Sequence, residues 1–176
     1  DLFSGESARR ELEKFNPLGQ IPTLVLSDGR VMTESAAITL WLADRSENAE
    51  LIPAPTSPER ARFLRWLIFI TSNIYPTYTY ADDPARFVES KSARDGFAEA
   101  VSRYAKKLYS ILDAEAASPW FLGSRFSALD IYVCTMTHWR PRRPWFDANT
   151  PTLAAIVDAT KAVPRLSRVW ARNFTE

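Results

Sequence analysis

A short α/β segment followed by a longer all-helical body is the fold class this sequence predicts, and three observations predict it. Two apolar runs, IPTLVL and RVMT, flank the turn residues Ser27, Asp28 and Gly29. Three prolines, Pro53, Pro55 and Pro58, then interrupt the chain. Beyond them, apolar residues recur at helical spacing with no alternating strand pattern.

Taken in order, SARRELEKF reads as a charged amphipathic helix. The Asp28-Gly29 pair between apolar runs predicts a hairpin, because these residue types tolerate the positive φ of tight hairpin turns. The two strands are therefore expected to be antiparallel neighbours. A helix over ESAAITLWLADR closes an α/β segment at residues 1–46, and residues 47–56 read as a linker to an all-α part at 57–176. Ser57-Pro58-Glu59 marks a helix start: a hydroxyl cap, a proline whose missing N–H costs nothing there, and a carboxylate near the positive helix end. That helix runs through RARFLRWLIFITSNIY, and Pro76 is expected to kink or end it.

A second long helix fits SARDGFAEAVSRYAKKLYSILDAEA, with Val101, Ala105, Leu108 and Leu112 on one buried face and Arg103, Lys106 and Lys107 on a solvated one. Ser127 and Asp130 stand at the spacing of a capping box, in which hydroxyl and carboxylate each satisfy a free N–H at a helix start. Thr150-Pro151 opens another helix by the logic of Ser57-Pro58, and VPRLSRVWARNF supplies the last.

The totals narrow the function. With 176 residues, 46% hydrophobic, and a formal net charge of +1, the chain has a sizeable core and no electrostatic case for nucleic acid or acidic membranes. A single cysteine, Cys134, forms no internal disulfide, and no apolar run reaches spanning length, so a cytoplasmic setting is expected. One histidine and one cysteine make a metal site implausible. His138, on a mostly apolar helix, reads as a core or helix-end residue rather than a catalyst, and Cys134 as an apolar filler. The arginines of HWRPRRPW read as a solvated loop.

The sharpest pairing is NPLGQIPTL with TESAA. A loop before a strand and an ordinary helix start with Ser35 as cap is the bland reading of each. Together they describe a site. A cis Ile21-Pro22 bond leaves the Ile21 N–H and C=O unpaired, open to an extended peptide docking in antiparallel fashion. Free N–H groups and the Ser35 hydroxyl at the helix start hold a carboxylate, and Glu34 holds an ammonium, so the combination recognises an amino-acid zwitterion.

The order NPLGQIP, hairpin, ESAAI, Pro-rich linker, all-helical second part and a late FSALDI box resembles the cytosolic glutathione S-transferase (GST) family, of bacterial type, along the whole chain. The resemblance implies the C-terminal part of a thioredoxin-like domain followed by an all-helical GST C-terminal domain. It implies glutathione as substrate, with Ile21 pairing by backbone beside cis-Pro22, and with Glu34 and Ser35 on the γ-glutamyl end. Gln20 and Lys14 fall where family members reach the glycine end or line the pocket. FSALDI resembles the family's buried capping motif, with Leu129 where alanine is usual. Tyr75, Tyr78 and Tyr80 are candidates to line an electrophile pocket between the domains, or else pack at a kinked helix end.

The expected activity is transfer of glutathione to a hydrophobic electrophile by a homodimer, in detoxification. A glutathione-dependent disulfide or dehydroascorbate reductase and a non-enzymatic interaction module are the alternatives. The catalytic group is unknown: the opening at Asp1 reads as a helix already in progress, so a fragment is expected, with the activating serine, tyrosine or cysteine upstream.

Overall fold

The computed structural model describes residues 6–46 and 51–174. The first four linker positions, 47–50, and the approach to the first helix, 1–5, lie outside the described residues. The chain divides into two compact units, Asp1–Ala49 and Glu50–Glu176.

In the first unit, helix α1 (Glu6–Glu13) leads into a loop and the strands β1 (Leu24–Val25) and β2 (Val31–Met32), which pair antiparallel with Leu24 opposite Met32 and Val25 opposite Val31. The Asp28-Gly29 turn forms as expected. Gly29 takes φ 83°, its N–H reaches the Leu26 carbonyl at 2.9 Å, and the Asp28 carboxylate accepts the Arg30 N–H at 3.0 Å. Helix α2 (Ser35–Asp44) follows directly and buries Ala36, Ile38 and Ala43.

The second unit is helical. Residues 51–56, read as linker, belong to it: Ile52 is buried, its carbonyl accepts Arg125 at 3.1 Å, and the Pro53 carbonyl accepts Arg60 at 2.9 Å. Helix α3 (Arg60–Phe69) begins after the Ser57 hydroxyl has accepted the Glu59 N–H at 3.3 Å.

Pro76 does not end this helix. A π turn over Ile70–Ile74, in which the Tyr75 N–H reaches back five residues to the Ile70 carbonyl, carries the chain into α4 (Tyr75–Asp82), with Pro76 in its first turn. At that position the ring has no intrahelical N–H to remove from α4 itself. Helix α5 (Arg94–Glu115) buries Ala105, Leu108, Tyr109 and Leu112, with Val101 half-buried at the start of the same face.

Helix α6 (Ala128–Met136) is the centre of the unit, with Leu129, Val133, Cys134 and Met136 all buried. It packs on α8 (Pro151–Lys161), whose Leu153, Ile156 and Val157 are equally buried. Helices α7 (Arg143–Asn149) and α9 (Ser167–Asn173) complete the described chain.

The box at the start of α6 is present. Asp130, fully buried, accepts the Ser127 N–H at 2.7 Å and the Ser127 hydroxyl at 3.1 Å. Its other oxygen accepts the Phe121 N–H at 2.7 Å. The start of α8 differs from the expected pattern. The Thr150 hydroxyl turns back to the Phe146 carbonyl at 3.0 Å, and the Leu153 N–H is capped instead by the Asp113 carboxylate of α5 at 2.8 Å.

Candidate functional site

The hairpin register builds the site. The pairing of Leu24 with Met32 puts the residues that lead into β1, Ile21 to Thr23, and those that leave β2, Thr33 to Ser35, at the same end of the hairpin. The two motifs thus lead into and out of one end of a single hairpin.

On one side, the Ile21-Pro22 bond is cis and the Ile21 side chain is 62% exposed. The Ile21 N–H and carbonyl take no hydrogen bond among the described residues. An exposed, unpaired donor and acceptor on one residue can accept an extended peptide as a neighbouring strand does.

On the other side, α2 begins at Ser35 and its Glu34 neighbour adopts φ 67°, ψ 107°. Only glycine enters this positive-φ region at no cost, so a glutamate held there is strained. The first hydrogen bond of the turn runs from the Ile38 N–H to the Glu34 carbonyl at 2.9 Å. The N–H groups of Ser35, Ala36 and Ala37 and the Ser35 hydroxyl take no partner among the described residues. Free N–H donors at the positive end of a helix are groups of the kind that suit an anion. The Glu34 carboxylate, exposed beside it with the Thr33 hydroxyl at 3.4 Å, supplies the negative counterpart.

The neighbouring candidates are placed differently. Lys14 is ion-paired with Glu11 at 2.6 Å on the exposed face of the segment after α1. Gln20 is exposed, and its carbonyl is held by two side chains of the loop. One of them, Asn16, is the buried polar residue among the described residues of this unit and was not singled out by sequence reasoning; an Asn-Pro step opening a loop is its signal.

The three tyrosines of α4 do not share a face. Tyr75 and Tyr78, three residues apart, turn into an aromatic cluster in which Tyr75 stacks near Tyr132 and both meet the Trp139 ring edge-on. The Tyr78 hydroxyl donates to the Arg140 carbonyl at 2.9 Å and shares a hydrogen bond with the Tyr109 hydroxyl. Burial pushes the Tyr78 phenol up to about 12 and holds those of Tyr75 and Tyr109 far above their ordinary range. Tyr80, two residues past Tyr78, points elsewhere. It packs edge-on against Phe87 and lines an open groove of about 320 Å³ with Asn73, Phe97 and Tyr104.

The remaining candidates are structural in placement. Cys134 is fully buried, and burial pushes its thiol up to about 11. The His138 ring stacks on Phe174 with centroids 4.0 Å apart. The arginines of HWRPRRPW, the last of which opens α7, are engaged: Arg140 with Asp82, Arg142 with the His138 carbonyl at 2.5 Å, and Arg143 with Asp147 at 2.6 Å and Asp158 at 2.9 Å. Among the described residues there is no group of three or more potential metal ligands, and no helix is long and apolar enough to cross a membrane.

A hairpin feeding a helix N-terminus, ahead of an all-helical unit centred on a capped buried helix, defines a glutathione transferase fold. Family models agree. The model described as "Glutathione S-transferase, N-terminal domain" matches residues 1–45, and that described as "Glutathione S-transferase, C-terminal domain" matches residues 71–171. The chain belongs to the glutathione S-transferase family.

Among its relatives is the uncharacterized GST-like protein YncG of Escherichia coli (strain K12). The two are 40% identical over 173 residues, 97% of this chain and 82% of that protein. The glutathione S-transferase GstA of Escherichia coli O157:H7 is 32% identical over 124 residues, 70% of this chain and 59% of GstA. In structure, the chain resembles a sphingomonad glutathione S-transferase complexed with glutathione. The TM-score is 0.72 and the identity 26%, over 99% of this chain and 85% of the other.

Proposed function

We propose that this protein is a glutathione transferase that conjugates glutathione to hydrophobic electrophiles. The observation that supports the reading is that the run holding Ile21 and the run holding Glu34 and Ser35 enter and leave one end of the hairpin, with the Ile21 backbone and the first N–H groups of α2 unpaired among the described residues. Glutathione matches these groups. Its γ-glutamyl carboxylate suits the N–H groups and hydroxyl of Ser35, its ammonium suits Glu34, and the amide of its cysteinyl residue suits the Ile21 N–H and carbonyl. The sphingomonad relative, solved in complex with glutathione, supports the choice of ligand.

Bound in this way, the cysteinyl sulfur is fixed by contacts on both sides of it. The thiolate is the reactive form, so transfer begins with loss of the thiol proton to water. The thiolate pair then forms the S–C bond as the leaving group departs with the electrons of the bond it breaks. No residue among 6–46 is assigned to activate the sulfur. The residues named here hold and orient the thiol substrate. We place the activity in the cytoplasm, in a homodimer, as the family resemblance implies, with glutathione as substrate rather than resident cofactor.

The test is calorimetric titration of glutathione into the intact protein and its Ser35→Ala and Glu34→Ala variants, alongside conjugation to an activated aryl halide. Each substitution is expected to weaken binding by about tenfold, the loss of one charge-assisted contact. Equal affinity across the three proteins removes Glu34 and Ser35 from the site. Binding without conjugation leaves a glutathione-binding module in place of an enzyme.

A further inference from the structure

Asn16 is 5% exposed, yet it makes hydrogen bonds through every polar atom it has. Its N–H donates to the Leu12 carbonyl at 2.9 Å, and its carbonyl accepts the Gly19 N–H at 2.8 Å. The side-chain oxygen accepts the Leu18 N–H at 3.1 Å. The side-chain amide donates to the Gln20 carbonyl at 2.9 Å and lies 3.3 Å from the Thr23 hydroxyl. That hydroxyl itself donates to the Gln20 carbonyl at 2.9 Å.

Two donors therefore converge on one carbonyl oxygen, and that oxygen belongs to the peptide plane shared with the Ile21 N–H. In a planar trans peptide the C=O and the following N–H point in opposite directions. Holding the Gln20 oxygen inward, against buried Asn16, aims the Ile21 N–H outward. Gly19, at φ 60°, makes the bend that brings the oxygen round.

We propose that Asn16 and Thr23 are positioning residues for the thiol substrate: they clamp the Gln20 carbonyl and so pre-orient the Ile21 N–H for the cysteinyl carbonyl of glutathione. The inference rests on the reading of Ile21 as the glutathione edge given above. Neither residue touches the substrate. Their effect is to remove the orientational freedom of one peptide plane before binding, which otherwise costs affinity when the ligand arrives.

Isosteric variants separate this role from a general effect on folding. Asn16→Asp keeps the oxygen that accepts the Leu18 N–H but replaces the donor facing the Gln20 carbonyl. Thr23→Val keeps the shape and loses the hydroxyl, and Thr23→Ser restores it. Glutathione affinity is measured by calorimetry, and the Ile21 amide resonance of each ligand-free protein by two-dimensional NMR.

We expect Asn16→Asp and Thr23→Val to bind about fivefold more weakly, as for loss of one oriented hydrogen bond. Thr23→Ser is expected to return to near wild-type affinity, and the Ile21 resonance to move in the two weakened variants and not in the third. If Asn16→Asp does not fold, the Thr23 pair decides alone. Wild-type affinity in Thr23→Val, with an unmoved Ile21 resonance, overturns the assignment. A wild-type protein that binds no glutathione overturns the functional reading and this assignment with it, whereas binding that the variants leave unchanged overturns the assignment only.

Discussion

Asp130 accepts the N–H of Phe121 at 2.7 Å across nine residues of chain, pinning the 118–126 loop to the start of α6. The same carboxylate holds the Ser127 N–H and hydroxyl, so one buried side chain satisfies donors on both the loop and the helix.

Asp130→Ala leaves two buried backbone N–H groups without acceptors, and it is expected to destabilise the protein by about 3 kcal/mol or more. Burial raises the Asp130 carboxyl pKa more than its N–H donors lower it. A carboxyl with a raised folded pKa contributes stability that is full below its unfolded value near 4 and is lost as pH rises through the folded value. Denaturant unfolding should therefore show a larger difference between wild type and Asp130→Ala at pH 4 than at pH 7.

Glu34 at φ 67° carries a strain of about 1–3 kcal/mol that glycine relieves, against the roughly 0.5–1 kcal/mol glycine costs in the unfolded chain. Glu34→Gly is therefore expected to raise Tm by a few degrees while losing the ammonium partner. Thermal unfolding and glutathione titration of the same variant check both. A lowered Tm contradicts the strain argument whatever happens to binding.

Alkaline stability follows from the cluster on α4 and α5. Burial pushes the Tyr78 phenol up to about 12 from an unfolded value near 10, and those of Tyr75 and Tyr109 rise with it. The stability these groups contribute is full below pH 10 and is lost as pH climbs toward 12, about 3 kcal/mol for Tyr78 alone. Ultraviolet titration of phenolate should show part of the tyrosine absorbance appearing only together with loss of helical circular dichroism. Tyr78→Phe strips the Tyr109 hydroxyl of its partner and is expected to cost about 1–2 kcal/mol near neutral pH.

What was legible in the sequence was local. Asp28-Gly29 and the Ser127 to Asp130 box declare themselves within four residues, because turn and cap chemistry depends on neighbours along the chain. The helix start at Thr150-Pro151 forms as read, and its cap alone was missed, for the complementary reason. Thr150 looks like a cap, yet the acceptor is Asp113, 40 residues away, and no local pattern announces it. Asn16 was hidden in another way: its importance lies in a peptide plane it steers, which composition does not record. The tyrosines of α4 were legible as a group and not as faces, because nothing in ITSNIYP marks the point where helical spacing changes.

That point is the π turn of Ile70–Ile74. A π turn is an α-helix with one residue inserted, and each added residue advances the azimuth of everything after it by about 100°. Helix α4 thus starts about 100° away from the bearing that an uninterrupted α-helix would give it. The turn is in effect a rotary joint set at one angle. A single-residue deletion within 70–74 would shorten the chain by under 1% and yet redirect Tyr75, Tyr78 and Tyr80 together, away from the ring contacts and the groove they meet now.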